Sequence, residues 1–435
     1  MKFILSSYSK TLGILVLVFI SITGIAQSTT TEFTVDGLKV ILHQTQKETV
    51  VMSMYFKGGS TNYINSIAGI ESLAMSAALE CGNSKFAASN FNDQVDEYGL
   101  HLNGEASDDY SVIKMACIST YADKAWQLFS SAIASPAFDL QKFGLLKEQK
   151  INELKQSLSS PDDRLDQLSH EFAFATTNYS INPNGTVASL SALTRDAVKN
   201  YYLTTLLNKN RMFLVVAGKM TRADLEKKIK EAFATIPVAP YNPVRVDAPV
   251  FLRETTKIEP YRIATNYISG IVPAPDLNSP DYPAFRMAVT ILNSAMFEVI
   301  RLDRNLSYAP YASMSEGKIS YVKMYASTSQ PRETVAAIRN ILDMIKGTTY
   351  PNKLIESIRK GLLQSYSKHQ ERMAEIADNL GKAEIMGNWQ LAENLEDRIN
   401  HVKPDDVRDV LNAYCKNIAW VYIGEKGLGE ETFRR

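Results

Sequence analysis

The chain has 435 residues, with 47 basic and 47 acidic side chains, so its formal net charge is zero. That balance excludes the basic footprint of a nucleic-acid binder and the acidic tail of a solvating protein. Apolar residues make up 45% and charged residues 22%, which excludes a disordered chain, and the length suits two or three domains of about 150 residues each.

At the N-terminus, Lys2 and Lys10 precede an apolar run from Leu12 to Ile25. The run has the length of a signal-peptide core rather than of a membrane span of ~20 residues. It ends at Gly24-Ile25-Ala26, small residues at the positions a signal peptidase reads, so residues 1–26 are expected to be removed before Gln27. No cysteine follows to take a lipid anchor. The mature protein is therefore expected to be secreted or periplasmic, with no membrane contact after cleavage. Its three cysteines, Cys81, Cys117 and Cys415, share no CxxC spacing and are too few for a disulfide framework.

Phe33 to Leu42 reads as a hairpin turning at Asp36-Gly37. A strand over Val50 to Phe56 follows, ending in Lys57-Gly58-Gly59-Ser60. Ile67, Ile70, Leu73, Ala74, Ala77 and Ala78 then recur at helical spacing up to Gly82. A helix around Phe91 to Tyr98 and a strand over Tyr110 to Ile118 come next. Beyond Pro136 lies a long helical region with Phe143, Leu146, Leu154 and Leu158 on its buried side. Ser159-Ser160-Pro161-Asp162 interrupts it, and a second helix continues to about Phe174. The unit closes with a helix over Thr194 to Tyr202, a strand over Met212 to Ala217, Gly218, and a helix to Phe233.

Four prolines and little periodicity over 237–250 mark a linker. After it the order of elements returns. Thr194-Arg195-Asp196 before Phe213 to Gly218 has its counterpart in Lys403-Pro404-Asp405 before Trp420 to Gly424. Each is a capped helix entering a strand that stops at glycine, and the helical region after Pro136 has a counterpart after Pro351. The expected fold is α+β: two similar domains, 27–236 and 251–435, each a mainly antiparallel sheet with helices packed against it.

Gly37-Leu38-Lys39-Val40-Ile41-Leu42, the Gly59-Ser60 loop and a helix opened by Gly69-Ile70 occur here in that order. In this layout the chain resembles the pitrilysin/insulinase family of zinc metallopeptidases, the mitochondrial processing peptidase branch in particular, over nearly its whole mature length. The resemblance implies that family's two-domain metallohydrolase fold. In active members the helix carries H-x-x-E-H, two zinc-binding His one turn apart with Glu as general base, and a later helix supplies a Glu as third ligand. Alignment on Gly69-Ile70 puts Ser72 and Ser76 at the His positions, Met75 at the Glu position and Glu153 at the third ligand. Serine is a poor zinc ligand and a thioether takes no proton from water. None of the five histidines has a His partner three to five residues away. The resemblance therefore implies no metal and no hydrolytic centre in this chain. Glu153 reads either as a relic carboxylate facing an emptied pocket or as a solvated helix residue.

The C-terminal domain keeps more of the family pattern. Members carry a segment like R-E-x-R-G-L-x-Y, whose first Arg and Tyr point at substrate near the zinc. Here it is Arg301-Leu302-Asp303-Arg304-Asn305-Leu306-Ser307-Tyr308, with Leu302 and Asn305 in place of Glu and Gly. Arg301 offers a charged planar fork for a peptide carbonyl or carboxylate, and Tyr308 a phenol for an oxyanion. The alternative is an arginine in a surface ion pair and a tyrosine packed in the sheet. Two functions from different classes follow. The chain is expected either to be the non-catalytic subunit of a peptidase, enclosing unfolded peptide with a zinc-bearing homologue, or to be a structural or peptide-binding homologue with no part in proteolysis.

Overall fold

The computed structural model describes residues 29–434, so the expected signal peptide lies outside the described residues. The first half runs β1 (Thr29–Val35), β2 (Leu38–Gln44), β3 (Thr49–Lys57), α1 (Ile70–Glu80), α2 (Ala88–Glu97), β4 (His101–Ala106), β5 (Tyr110–Ile118), α3 (Ala122–Ala134), α4 (Leu140–Ser157), α5 (Pro161–Ala173), α6 (Val187–Ala192), α7 (Arg195–Tyr201), β6 (Met212–Gly218) and α8 (Arg222–Ala232). The second runs β7 (Thr255–Pro260), β8 (Asn266–Ala274), α9 (Tyr282–Met296), β9 (Tyr311–Ser315), β10 (Ser320–Thr328), α10 (Pro331–Gly347), α11 (Asn352–His369), α12 (Met373–Ile385), α13 (Gln390–Glu393), α14 (Leu395–Asn400), α15 (Pro404–Tyr414), β11 (Ala419–Gly424) and α16 (Lys426–Phe433).

Local chemistry sets several of these boundaries. Asp36 and Gly37 take φ values of 47° and 88°, the left-handed turn whose twist matches the flanking strands β1 and β2. Ser160 caps α5 by accepting from the Asp163 N–H, and Pro161 sits where its missing N–H is harmless. The expectation for Leu158 is corrected: α4 ends at Ser157, and Leu158 is exposed rather than buried beside Phe143 and Leu146.

The first sheet has strand order β1-β2-β6-β3-β5-β4 and the second β7-β11-β8-β10-β9. With β1 set aside the two orders coincide. In each, the outermost pair is parallel (β2 with β6, β7 with β11) and all other pairs are antiparallel. The parallel pairs end at the glycines singled out in the sequence, Gln44↔Gly218 and Pro260↔Gly424. Gly218 (φ 136°) must lack a side chain, since a Cβ there would meet the Thr49 carbonyl oxygen at 2.5 Å. The chain is thus two similar α+β units, with mainly antiparallel sheets.

The inner strands of each sheet are buried on both faces, and the alternation along them divides the two environments. On β6, Leu214 and Val216 face the core formed with α1, α3 and α4, while Phe213, Val215 and Ala217 face the other way. That second face is covered by α12 of the opposite half, through Met373, Ile376, Ala377, Leu380 and Ala383. The exchange is reciprocal. α5 of the first half lies on β8 and β11, where Leu165 and Leu168 pack with Tyr325, Val421 and Ile423. Each buried leucine contributes ~1.5–3 kcal/mol, so the two halves stabilise each other through swapped helices. Loops add to the junction: Asp109 accepts from the Tyr179 hydroxyl and from the Lys318 N–H at 2.9 Å, and the Ile319 N–H donates to the Tyr179 oxygen at 3.0 Å.

α12 approaches the first sheet most closely at Gly381, where a Cβ would lie 2.2 Å from the Tyr55 ring. Tyr55 is fully buried, and it stacks on Phe213 with centroids 4.9 Å apart, so it has no room to move aside. Gly381→Leu is expected to lower the unfolding free energy by ~1–3 kcal/mol or more through overpacking. Urea denaturation measures it, and an unchanged midpoint would refute the close approach.

Candidate functional site

α1 is the helix on which alignment at Gly69-Ile70 places the metal-motif positions, and its first turn is fixed from beneath. Glu71 is fully buried. Its carboxylate accepts from Ser111 Oγ on β5 at 2.6 Å, from the Tyr201 hydroxyl on α7 at 2.7 Å and from Arg211 Nη2 at 2.5 Å. Arg211 is itself buried and spends its Nε on the Lys57 carbonyl at 2.7 Å. Burial alone would lower the guanidinium pKa, but the Glu71 charge holds it above its ordinary value. The residue that follows, Ser72, faces outward, and its Oγ donates to Asn184 Oδ1 at 3.1 Å.

Ser72 and Glu153 line one cleft of about 270 Å³, with Leu73, Lys150, Asn184 and Leu190 among its walls. Glu153 is exposed. Its two oxygens accept from Gln149 Nε2 at 2.9 Å and from Lys150 Nζ at 3.2 Å. The Gln149 hydrogen bond holds its carboxyl below the usual carboxylate range against the opposing effect of burial, and Lys150 adds to the lowering. Met75 and Ser76 are not among the lining residues. Met75 has no exposure and packs under β4, where a Cβ on Gly104 would come within 3.0 Å of the Met75 Cβ. Ser76 is buried one turn beyond Ser72.

These donors do not fit a catalytic zinc, which needs three nitrogen, sulfur or carboxylate ligands and an open position. Two hydroxyls, a thioether in the core and one carboxylate already held by an amide and an ammonium do not supply them. Among the described residues, no group of three His, Cys, Asp or Glu is placed to hold a metal ion. The shared cleft makes a test available. Ser72→His with Ser76→His is expected to create a His/His/Glu site that binds about one zinc per chain, and hydrolysis is expected to need Met75→Glu as well. Elemental analysis of the folded double variant checks this, and a zinc-free result would separate Glu153 from the site.

The cleft adjoins a second space of about 290 Å³ that shares Leu154 and Ser157. There α5 contributes Asp163, Asp166, Gln167, His170 and Glu171. The His170 ring is largely buried, with Nε2 2.6 Å from the Tyr321 hydroxyl, and burial pushes its pKa down. Nearby, exposed Asn178 donates its amide nitrogen to the Thr61 and Tyr63 carbonyls at 3.1 and 3.3 Å.

Arg301 and Tyr308 stand elsewhere and are not among the residues lining either space. After α9 the helix widens into a π-helical turn, Phe297–Asp303, that carries Arg301. Asn305 then takes φ 49°, a left-handed conformation that glycine adopts freely and asparagine at small cost. That conformation accounts for the glycine of the resembling segment and for its replacement by Asn. The turn brings Tyr308 back over Arg301, with the guanidinium carbon 3.6 Å from the ring centroid. Tyr308 is 78% exposed, so it is not packed in the sheet. Among the described residues Arg301 has no carboxylate partner.

Residues 39–186 match the family model of Insulinase (Peptidase family M16), and residues 192–362 match that of the Peptidase M16 inactive domain. The chain belongs to peptidase family M16. Solved structures share the M16 fold. A protease from Helicobacter pylori is 15% identical with a TM-score of 0.85, over 91% of this chain and 99% of that one. An M16 inactive domain from Pseudomonas fluorescens is 16% identical with a TM-score of 0.83, over 92% and 98%. The periplasmic protease PqqL of Escherichia coli is 13% identical with a TM-score of 0.77. The match takes in 97% of this chain but 49% of PqqL, so this M16 chain spans about half of that protein's length. No curated protein sequence matches the chain. Among the described residues no helix is long and apolar enough to cross a membrane.

Proposed function

We propose that this chain is the non-catalytic half of a two-chain M16 peptidase acting outside the cytoplasm. It closes against a zinc-bearing homologue, holds unfolded peptide, and presents Arg301 and Tyr308 to the partner's metal site. Zinc belongs to the partner and not to this chain. The observation that carries this reading is the stacked Arg301–Tyr308 pair. A guanidinium with no carboxylate partner among the described residues lies under a tyrosine whose ring is open to solvent. Such a pair can grip a peptide carbonyl or carboxylate and donate a phenolic proton to an oxyanion, while the residues on α1 offer no chemistry of their own.

Peptide binding is supported by β4. It is one of the two edge strands of the first sheet, pairs among the described strands with β5 alone, and has exposed and half-buried residues in alternation along its length. An edge of this kind takes an extended peptide as a further strand. PqqL, twice the length and described as a periplasmic protease, supports both a two-unit assembly and a location outside the cytoplasm.

Purification of the tagged mature chain with a zinc-bearing M16 homologue from the same cell tests the assembly. The expected result is a stable complex carrying one zinc per two chains, and no cleavage of unfolded peptide by this chain alone. Zinc-dependent cleavage by the isolated chain would refute the reading. The absence of any such complex would favour a structural or peptide-binding homologue with no part in proteolysis.

A further inference from the structure

The second half contains a cleft at the place that the Ser72–Glu153 cleft occupies in the first. α4 and α11 are counterparts in the duplicated fold, and each has 18 residues. The first cleft takes Lys150, Glu153, Leu154 and Ser157 from α4. The other takes Leu362, Ser365, Tyr366 and His369 from α11, the same four positions along the helix. α5 and α12 are also counterparts, of 13 residues each. Gln167, His170 and Glu171 on α5 are matched by Asn379, Lys382 and Ala383 on α12, all lining residues. The duplication has reproduced the cleft as well as the sheets.

Its chemistry has changed in the copy. Ser365 stands in the place of Glu153, and Ala383 in the place of Glu171. The walls are mostly apolar, formed by Leu277, Leu362, Met386, Leu395, Ile399 and the Tyr366 ring, around a cavity of about 220 Å³. Two cations reach it. Arg286 on α9 donates from Nη1 to the Tyr282 hydroxyl at 3.2 Å and lies 3.5 Å from Glu316 Oε1, while its Nε and Nη2 have no partner among the described residues. Lys382 Nζ likewise has no partner among the described residues. His369 is taken up by Glu375. Arg286 and Lys382 against Glu316 leave one net positive charge at the solvent-exposed mouth of the apolar pocket. An apolar concavity with a few convergent polar groups is the usual form of a small-ligand site.

We infer that this cleft binds an amphipathic monocarboxylate, its apolar body against Leu362, Met386 and Tyr366 and its carboxylate on Arg286 and Lys382. The carboxyl-terminal residue of a peptide ending in leucine or phenylalanine has this chemistry, and so does a medium-chain fatty acid. Neither depends on the assembly proposed above.

Calorimetric titration of the mature protein with octanoate and with N-acetyl-Ala-Ala-Leu, each beside its carboxamide, tests the inference. At least one acid is expected to bind, about tenfold or more tighter than its amide, because charge-assisted bonds to the carboxylate are lost. Preference for the peptide acid assigns the site to the carboxyl termini of peptides, and preference for octanoate assigns it to acyl carboxylates. Lys382→Gln is expected to weaken binding about tenfold. Ser365→Trp, on the exposed lip, is expected to abolish binding without disturbing the core. The inference is overturned if neither acid binds, if acid and amide bind alike, or if both variants bind like the parent.

Discussion

Arg211→Met is expected to lower the unfolding free energy by ~3–5 kcal/mol, the loss that follows when one partner of a buried ion pair is removed. The Glu71 carboxylate has no exposure and is held by three donors, of which Arg211 alone carries charge. Removing Arg211 leaves a buried anion with two neutral hydroxyl donors and takes one of three donors from the Lys57 carbonyl, which Asn62 Nδ2 and the Tyr241 hydroxyl also serve. The double variant Glu71→Leu with Arg211→Met removes both charges together and is expected to recover much of the loss, since buried ion pairs contribute little over an apolar pair of similar size. Urea titration of the parent, both single variants and the double variant closes the cycle. Additive losses would show that the two side chains act separately.

In the assembled peptidase, Tyr308→Phe is expected to lower kcat by ~10²–10³, the effect of losing one oxyanion donor. The substitution is a clean one. Phenylalanine keeps the ring that stacks on Arg301, so the guanidinium stays in place and only the phenolic proton is removed. Arg301→Ala is expected to act on KM as well, because a grip on substrate is made in the ground state and the transition state alike. Arg301→Lys should rescue little, as an ammonium lacks the planar fork and stacks less well on the ring. Both residues are exposed or half-buried, so neither change should disturb the fold. Variants with parental kcat and KM in an intact complex would make the pair structural.

The duplicated α+β plan was legible because its punctuation is local. Asp36-Gly37 needs left-handed backbone, and the helix-to-strand units ending at Gly218 and Gly424 repeat with the same fully buried strand, although Thr194 caps its helix with its side chain and Lys403 does not. β4 escaped because its residues are exposed or half-buried throughout, with Asn103 and Gly104 at its centre, so it carries no apolar alternation. The exchange of α5 and α12 escaped for another reason. Each helix has an ordinary apolar stripe, and nothing in the stripe says which sheet it covers.

At the site, the positions on α1 and α4 could be placed from the Gly69-Ile70 signature, and the structure brings Ser72 and Glu153 to one cleft. The Glu71–Arg211 pair could not be placed, because its members are 140 residues apart. Its one sequence signal is an acid in the first turn of a helix whose next eight residues, Ser72 to Leu79, are apolar or small. The meaning of Asn305 also required backbone angles, since only a φ of 49° shows that it fills a glycine's role.

We propose that this protein completes the active site of a zinc-bearing homologue. Titrating it into a fixed amount of that homologue, while following cleavage of an unfolded peptide, tests the claim most directly. Activity is predicted to rise to a plateau at one subunit per homologue, with Tyr308→Phe saturating at the same ratio but at a rate ~10²–10³ lower. A flat titration, or a plateau that Tyr308→Phe reaches at the parental rate, would contradict it.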